Sequence, residues 1–455
     1  MKSTTFDVIN PSTGQLLDTC PNSTEEQLDS TVAAANVAFK SWSQTSDQVR
    51  VDALNKMADL VAENADELAK LLTQEQGKPL KGVGSEFEVE AVVGWLRATA
   101  AMTIETKVLE DGDERQALLF RKPVGVVASI TPWNWPLMIA IWHLAPAIRV
   151  GCTVVIKPAN NTPLSTLLMV DILNKALPSG VLSVVTGREG HKLSSHEGIH
   201  KVVFTGSTPV GKVVMKNAAD SLKRLTLELG GNDAGIVLPD VDVKEIAEGL
   251  FWGAFINNGQ TCAALKRLYV HEDVYEQVCE ALTEIVNNMP MGDGLDENNI
   301  FGPIQNKSQF NLVAELVEDA KNSGASILCG GEAMPGNGYF YPLTLIANAV
   351  EGMRIVDEEQ FGPALPIIKY SDIEDAIAQA NRSDMGLGGS VWSKDIEQAK
   401  SIAARIESGS VWINGHGQLL PHVPFGGVKS SGIGVEFGQE GLHEYTTIQA
   451  MHIFK

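Results

Sequence analysis

The chain has 455 residues, 44% of them hydrophobic and 20% charged, and a formal net charge of -21. That length exceeds what one hydrophobic core usually supports, so two or three domains are expected, and the composition excludes a disordered or low-complexity protein. The acidic balance excludes nucleic acid and anionic membranes as partners, since both are bound through Lys and Arg displacing counterions from phosphates.

The start, Met1 to Gly14, lacks the basic and apolar regions of a signal peptide, and Cys20, Cys152, Cys262, Cys279 and Cys329 show no CxxC spacing. A reducing cytoplasm is the expected compartment. Ser23 and Glu26 have capping-box spacing, and Leu28, Val32, Ala35 and Phe39 follow at steps of three and four, which predicts a helix with one buried face. Further helical patterns run from about Asp47 to Leu72 and from about Glu86 to Ala100.

Val124 to Trp142 carries no charge and approaches the length of a membrane span, about 20 residues. The segment Thr131-Pro132-Trp133-Asn134-Trp135-Pro136 would break a spanning helix in its middle, so a buried strand, a turn and a core helix fit better. From there strand patterns alternate with helices. Strands are expected at Val124–Ile130, Thr153–Ile156, Leu182–Val185 and Val202–Phe204, with helices near Leu137–Val150 and Leu164–Leu177. The alternation resumes with strands near Ala234–Val237, Leu268–Val270, Ser390–Trp392 and Val411–Asn414. Two α/β domains with parallel sheets are the simplest account. Glu444 to Lys455 reads as an edge strand, whose unpaired backbone groups suit a partner subunit.

Cys262 ends the turn Asn257-Asn258-Gly259-Gln260-Thr261, where backbone N–H groups can face a substrate and favour a thiolate. A free cysteine can equally be a small buried hydrophobe. Glu228, within Leu227-Glu228-Leu229-Gly230-Gly231-Asn232, is either a paired structural acid or a base with a raised pKa, and its two glycines allow close approach of chain or ligand. Asn134 offers a neutral amide N–H to an oxyanion, or closes an Asx turn. His196-Glu197-Gly198-Ile199-His200 matches HExxH, but Gly198 interrupts the segment and a strand follows almost at once, so no helix would hold two zinc ligands on one face. No metal is expected.

Together the segments at 130–136 (ITPWNWP), 157–159 (KPA), 204–211 (FTGSTPVG), 227–232 (LELGGN), 257–262 (NNGQTC), 358–363 (EEQFGP) and 424–427 (PFGG) resemble the aldehyde dehydrogenase superfamily in order and spacing, over nearly the whole chain. The resemblance implies two Rossmann-type doubly wound α/β domains and a small β oligomerisation arm. A cofactor domain would span 1–104 and 124–231, a catalytic domain 232–440, and the arm 105–123 and 441–455, in a cytoplasmic homodimer or homotetramer.

It further implies that Cys262 attacks the aldehyde, that Asn134 and the Cys262 backbone N–H hold the oxyanion, and that Glu228 activates water to hydrolyse the thioester. Retention of Glu228 disfavours the CoA-acylating branch, and no catalytic group is missing as it would be in a purely structural member. Lys157 joins the catalytic set and also the adenosine ribose contacts. Gly206, Ser207 and Gly211, at a strand-to-helix junction, would hold the pyrophosphate. Trp133 and Phe361 would contact the cofactor, and Glu359 its nicotinamide ribose.

The expected cofactor is NAD. Where the family often has glutamate, Asn160 removes the repulsion of a 2'-phosphate, so NADP is expected to be accepted beside NAD. Trp135, Met138, Trp142, Leu419 and Phe425 match channel positions and imply an apolar or aromatic aldehyde. His143 stands where semialdehyde-oxidising relatives commonly carry arginine, which makes a semialdehyde the second choice. His143 itself reads either as a substrate contact or as a core or channel-rim histidine.

Overall fold

The computed structural model describes residues 4–187 and 192–455. It is an α/β structure built on two mostly parallel sheets. The first has the order Leu182–Val184, Thr153–Lys157, Val126–Ile130, Lys201–Thr205, Arg224–Glu228 and Gly432–Ile433, with only the last strand antiparallel. Counted along the chain, the five parallel strands lie in the order 3-2-1-4-5 of a doubly wound sheet, whose crevice opens at the carboxyl ends between strands 1 and 4.

The strand sequences dictate this arrangement. Val126-Val-Ala-Ser-Ile and Lys201-Val-Val-Phe-Thr are mostly β-branched or aromatic, with Lys201 the one charged residue, so neither face can be left to water. Successive side chains point to opposite faces. Val127 and Val203 pack with Leu54, Leu96 and Ile141 on one side, while Val126, Ala128, Val202 and Phe204 pack with Leu28, Val32 and Val214 on the other.

The second sheet has the order Ser326–Cys329, Thr344–Ala349, Ala364–Tyr370, Leu265–His271, Asp233–Val237, Gly388–Trp392 and Ser410–Ile413, parallel except for the first strand. It too is covered on both faces, by clusters containing Ile236, Tyr269 and Ile368 and, opposite, Val237, Leu268 and Ile367. Thr446–Phe454 pairs antiparallel with Arg115–Pro123, which pairs in turn with Lys107–Asp111. The terminal strand is therefore an edge strand, and it is exposed from Ile448 onward. A hairpin, Thr5–Asn10 and Gln15–Pro21, precedes the first helix.

Several expected boundaries move. The first helix spans Glu25–Trp42 and is capped by Thr24, one residue later than expected, with Gln27 completing the capping box. Its Leu28, Val32 and Ala35 are buried, but Phe39 is only half-buried, and Trp42 continues the core stripe. The long helical pattern from Asp47 divides at Asn64, whose backbone leaves the helical region (φ -117°, ψ 19°) and whose side chain bonds the Leu60 carbonyl, giving Asp47–Glu63 and Ala65–Gln76. The pattern expected from about Glu86 forms the helix Ser85–Ala100, and the helix from Leu164 ends at Leu173 before a short 3₁₀ turn. Val126–Ile130, a turn, and the helix Pro136–Val150 occupy the uncharged stretch, and no helix among the described residues is long and apolar enough to cross a membrane.

Candidate active site

The motif segments converge because most of them end strands of the first sheet. Ile130 leads into Thr131–Trp135, Lys157 ends its strand, Thr205 leads into Gly206-Ser207, and Glu228 ends strand Arg224–Glu228. The nucleophile segment arrives from the second sheet, between strands Asp233–Val237 and Leu265–His271. Helix Val243–Phe255 gives way to a tight turn in which Asn257 (φ 51°) and Asn258 (φ 58°) both adopt left-handed backbone, the conformation Asn tolerates better than other side chains. Gly259 (φ 67°) completes it; a Cβ there would lie 2.3 Å from the Gly362 carbonyl oxygen. Cys262 follows, half-buried, before strand Leu265–His271 begins.

The paired glycines of the Glu228 segment explain how the loops close up. A Cβ on Gly231 would meet the Cys262 carbonyl at 2.6 Å, and one on Gly230 would meet Glu359 Oε2 at 2.4 Å. The Gly231 N–H donates to Glu359 Oε1 at 3.1 Å, so the Glu228, Cys262 and Glu359 segments touch one another.

Glu228 is buried, and neither carboxylate oxygen has a hydrogen-bond partner among the described residues. Burial raises its pKa well above the usual carboxylate value, and the nearby Glu436 carboxylate raises it further. Burial likewise pushes the Cys262 thiol up to about 12; Lys266 pulls it down, while Glu228, Asp233 and Glu359 add to the rise. Asn134 is buried, donating from Nδ2 to the Gln260 carbonyl at 2.9 Å. Its own carbonyl accepts from Lys78 Nζ at 2.9 Å and Asn257 Nδ2 at 2.8 Å, which ties it to the nucleophile turn. An amide carries a second N–H, available to a substrate oxygen.

On the cofactor side, Ser207 is the exposed N-cap of helix Thr208–Ala219 and its side chain makes no capping bond, so the helix terminus is open to an anion. Gly206 donates to the Glu228 carbonyl at 3.0 Å, and Gly211 packs its Cα against the Leu229 side chain. Lys157 donates to Asn160 Oδ1 at 3.3 Å, and burial lowers its pKa to about 8. Trp133 and Phe361 meet edge to face, with ring centroids 5.3 Å apart. These residues fit a dinucleotide: an open helix terminus at the switch-point crevice, a lysine and amide beyond it, and two facing rings near the nucleophile.

Trp135, Met138, Trp142, Leu419 and Phe425 all belong to one apolar cluster that includes Cys262. Trp95 and Phe437 join the same cluster, and sequence reading missed both. Phe437 lies 4.8 Å from Trp142 and 5.4 Å from Trp95, centroid to centroid. Its backbone (φ 63°, ψ 169°) is a conformation nearly confined to glycine and costs about 1–3 kcal/mol for any other residue.

His143 proves to be a core residue rather than a substrate contact. It is fully buried, with Nδ1 2.9 Å from Ser129 Oγ and Nε2 3.0 Å from Thr205 Oγ1 and 3.2 Å from Glu436 Oε1. Lys266 and Glu436 were likewise missed. The His196–His200 segment is a turn: His196 Nδ1 accepts the Gly198 N–H, and His200 Nδ1 accepts the Val126 N–H. The two histidines thus bond backbone N–H groups, His196 within the turn and His200 on the strand Val126–Ile130, and share no helix face.

Comparison with known proteins agrees with this geometry. The aldehyde dehydrogenase family model matches residues 1–451. The chain is 39% identical to phenylacetaldehyde dehydrogenase of Pseudomonas fluorescens, over 99% of its own length and 92% of that protein. It is 39% identical to human retinaldehyde dehydrogenase 3, over 98% and 89% respectively. The NAD+ complex of a Bacillus cereus aldehyde dehydrogenase superposes with a TM-score of 0.96 at 36% identity, covering 99% of this chain and 93% of that one.

Proposed function

The chain belongs to the aldehyde dehydrogenase family, and from that premise we propose that it oxidises an apolar or aromatic aldehyde to its carboxylic acid with NAD, through a thioester on Cys262. The observation that carries this reading is the conjunction at Cys262. One apolar cluster lines it with Trp135, Met138, Trp142, Leu419 and Phe425, and an unpartnered buried carboxylate, Glu228, sits on the segment whose Gly231 packs against the Cys262 carbonyl.

The Cys262 thiolate adds to the carbonyl carbon, and the oxyanion is held by Asn134 Nδ2 and the Cys262 backbone N–H. The nicotinamide, when bound, supplies the hydride acceptor that turns the thiohemiacetal into a thioester. Glu228 then takes a proton from water as it attacks the thioester carbon, and Cys262 departs as thiolate while the acid forms. Ser207 and the helix terminus behind it would hold the pyrophosphate, Lys157 and Asn160 the adenosine ribose, and Glu359, Phe361 and Trp133 the nicotinamide half. Gly206 and Gly211 keep the strand-to-helix junction close enough for that contact.

The 1–104 and 124–231 segments would act as the cofactor domain, 232–440 as the catalytic domain, and 105–123 with 441–455 as the arm of a homodimer or homotetramer. The exposed edge at Thr446–Phe454 supports the last assignment. The apolar lining supports the substrate class, as does the commitment of both His143 ring nitrogens to Ser129, Thr205 and Glu436, which leaves that side chain no contact to offer a carboxylated substrate. Relatives named for phenylacetaldehyde and retinaldehyde point the same way. With NAD in excess, phenylacetaldehyde, benzaldehyde and medium-chain aldehydes should surpass succinic semialdehyde in kcat/KM. The reverse order would overturn the substrate assignment.

A further inference from the structure

Lys266 is a buried cation outside the steps assigned to Cys262, Glu228 and Asn134. Only 3% of its side chain is exposed, and it stands on strand Leu265–His271, just past the nucleophile. Its Nζ donates to the Thr261 carbonyl at 3.0 Å and to the Cys262 carbonyl, and pairs with Glu359 Oε1 at 3.2 Å. An ammonium has three N–H donors, and these three acceptors occupy all of them. The ring of Phe361 lies 5.8 Å away, and Glu359 in turn accepts the Gly231 N–H. One side chain therefore fastens the nucleophile turn, the 358–363 segment and the loop that follows Glu228.

We propose that Lys266 is a positioning residue for Cys262, whose ammonium fixes the backbone carrying the thiol and supplies the positive charge that favours the thiolate. The inference rests on the reading of Cys262 as the nucleophile.

Two physical arguments separate this role from mere bracing. Two backbone carbonyls can be satisfied by a neutral donor, whereas a full buried charge is costly unless it is paired, and the paired Glu359 is still partly exposed. The thiol also needs a cation. No α-helix begins at Cys262 to lend a dipole, and burial together with Glu228, Asp233 and Glu359 opposes its ionisation. Lys266 acts on it in the opposite sense.

The test reads the thiol directly, in the full-length protein without aldehyde or cofactor. Iodoacetamide alkylation of the Cys262 peptide is followed by mass spectrometry from pH 7 to 9 in the wild type and in Lys266→Met, Lys266→Gln and Lys266→Arg. Below the thiol pKa, the rate tracks the thiolate fraction, which changes tenfold per pKa unit. Lys266→Met and Lys266→Gln should react about tenfold or more slowly, and Lys266→Arg should stay within about threefold of the wild type. Gln keeps a donor for the carbonyls, so it tests the charge even where Met fails to fold. A Gln variant as reactive as the wild type, or an Arg variant as unreactive as Gln, overturns the proposal. Neither result bears on whether Cys262 carries the acyl group, because Cys262→Ala decides that through NADH formation.

Discussion

Glu228→Gln should make the protein more stable and nearly inactive, and both effects have the same origin. The wild-type carboxyl is buried, lacks a hydrogen-bond partner among the described residues and faces Glu436. Leaving such a group charged and unpaired costs about 1–3 kcal/mol or more. Because the folded chain holds this proton more tightly than the unfolded chain, the penalty is absent below the unfolded value of 4.5 and grows as pH rises toward the raised folded value. Glutamine has no such dependence, so its melting-temperature advantage should widen from pH 5 to pH 8.

Activity should move the other way. Removing a general base costs about 10²–10⁴-fold in rate, and the loss should fall on hydrolysis of the thioester. Rapid mixing would show one equivalent of NADH per active site, followed by a slow steady state. In the wild type that hydrolytic step should quicken as pH rises through the Glu228 pKa. Steady-state turnover within about threefold of the wild type, or a stability difference independent of pH, would refute the assignment of Glu228 as the buried base.

Two further substitutions probe other parts of the site. Asn160→Glu restores the carboxylate beside Lys157 and should raise the NAD-to-NADP ratio of kcat/KM; an unchanged or lower ratio would show that Asn160 does not set the tolerance for a 2'-phosphate. Lys78→Met should be strongly destabilising, by about 3–5 kcal/mol, because Glu88 is left as an unpaired buried carboxylate. Glu88→Gln in the same chain should recover part of that loss in chemical denaturation, and the absence of any recovery would mean that the pair is not the cause.

The legible part of this molecule was what local chemistry dictates. Strands such as Val126–Ile130 show their double burial in uncharged runs rich in β-branched residues, and Pro132 and Pro136 announce the turn that carries Asn134. Strand Ala364–Tyr370 carries Pro366, a residue that argues against a central strand. The structure accommodates it because Pro366 pairs only toward Ile346, and pairing with Leu265–His271 starts one residue later.

Long-range partnership was not legible at all. Lys266 looks like an ordinary strand lysine until Glu359 arrives beside it. His143 reads as either a substrate contact or a core histidine until Ser129, Thr205 and Glu436 enclose it. Trp95 and Phe437 lie outside every recognised motif, and only packing brings them against Trp142.

Replacing Cys262 with Ala tests the central claim most directly, because the methyl side chain preserves the apolar cluster and removes only the sulfur. The account predicts that aldehyde-dependent NADH formation disappears while NAD binding, followed by quenching of tryptophan fluorescence, stays close to that of the wild type. NADH formation at an unchanged rate would contradict it and place the nucleophile elsewhere.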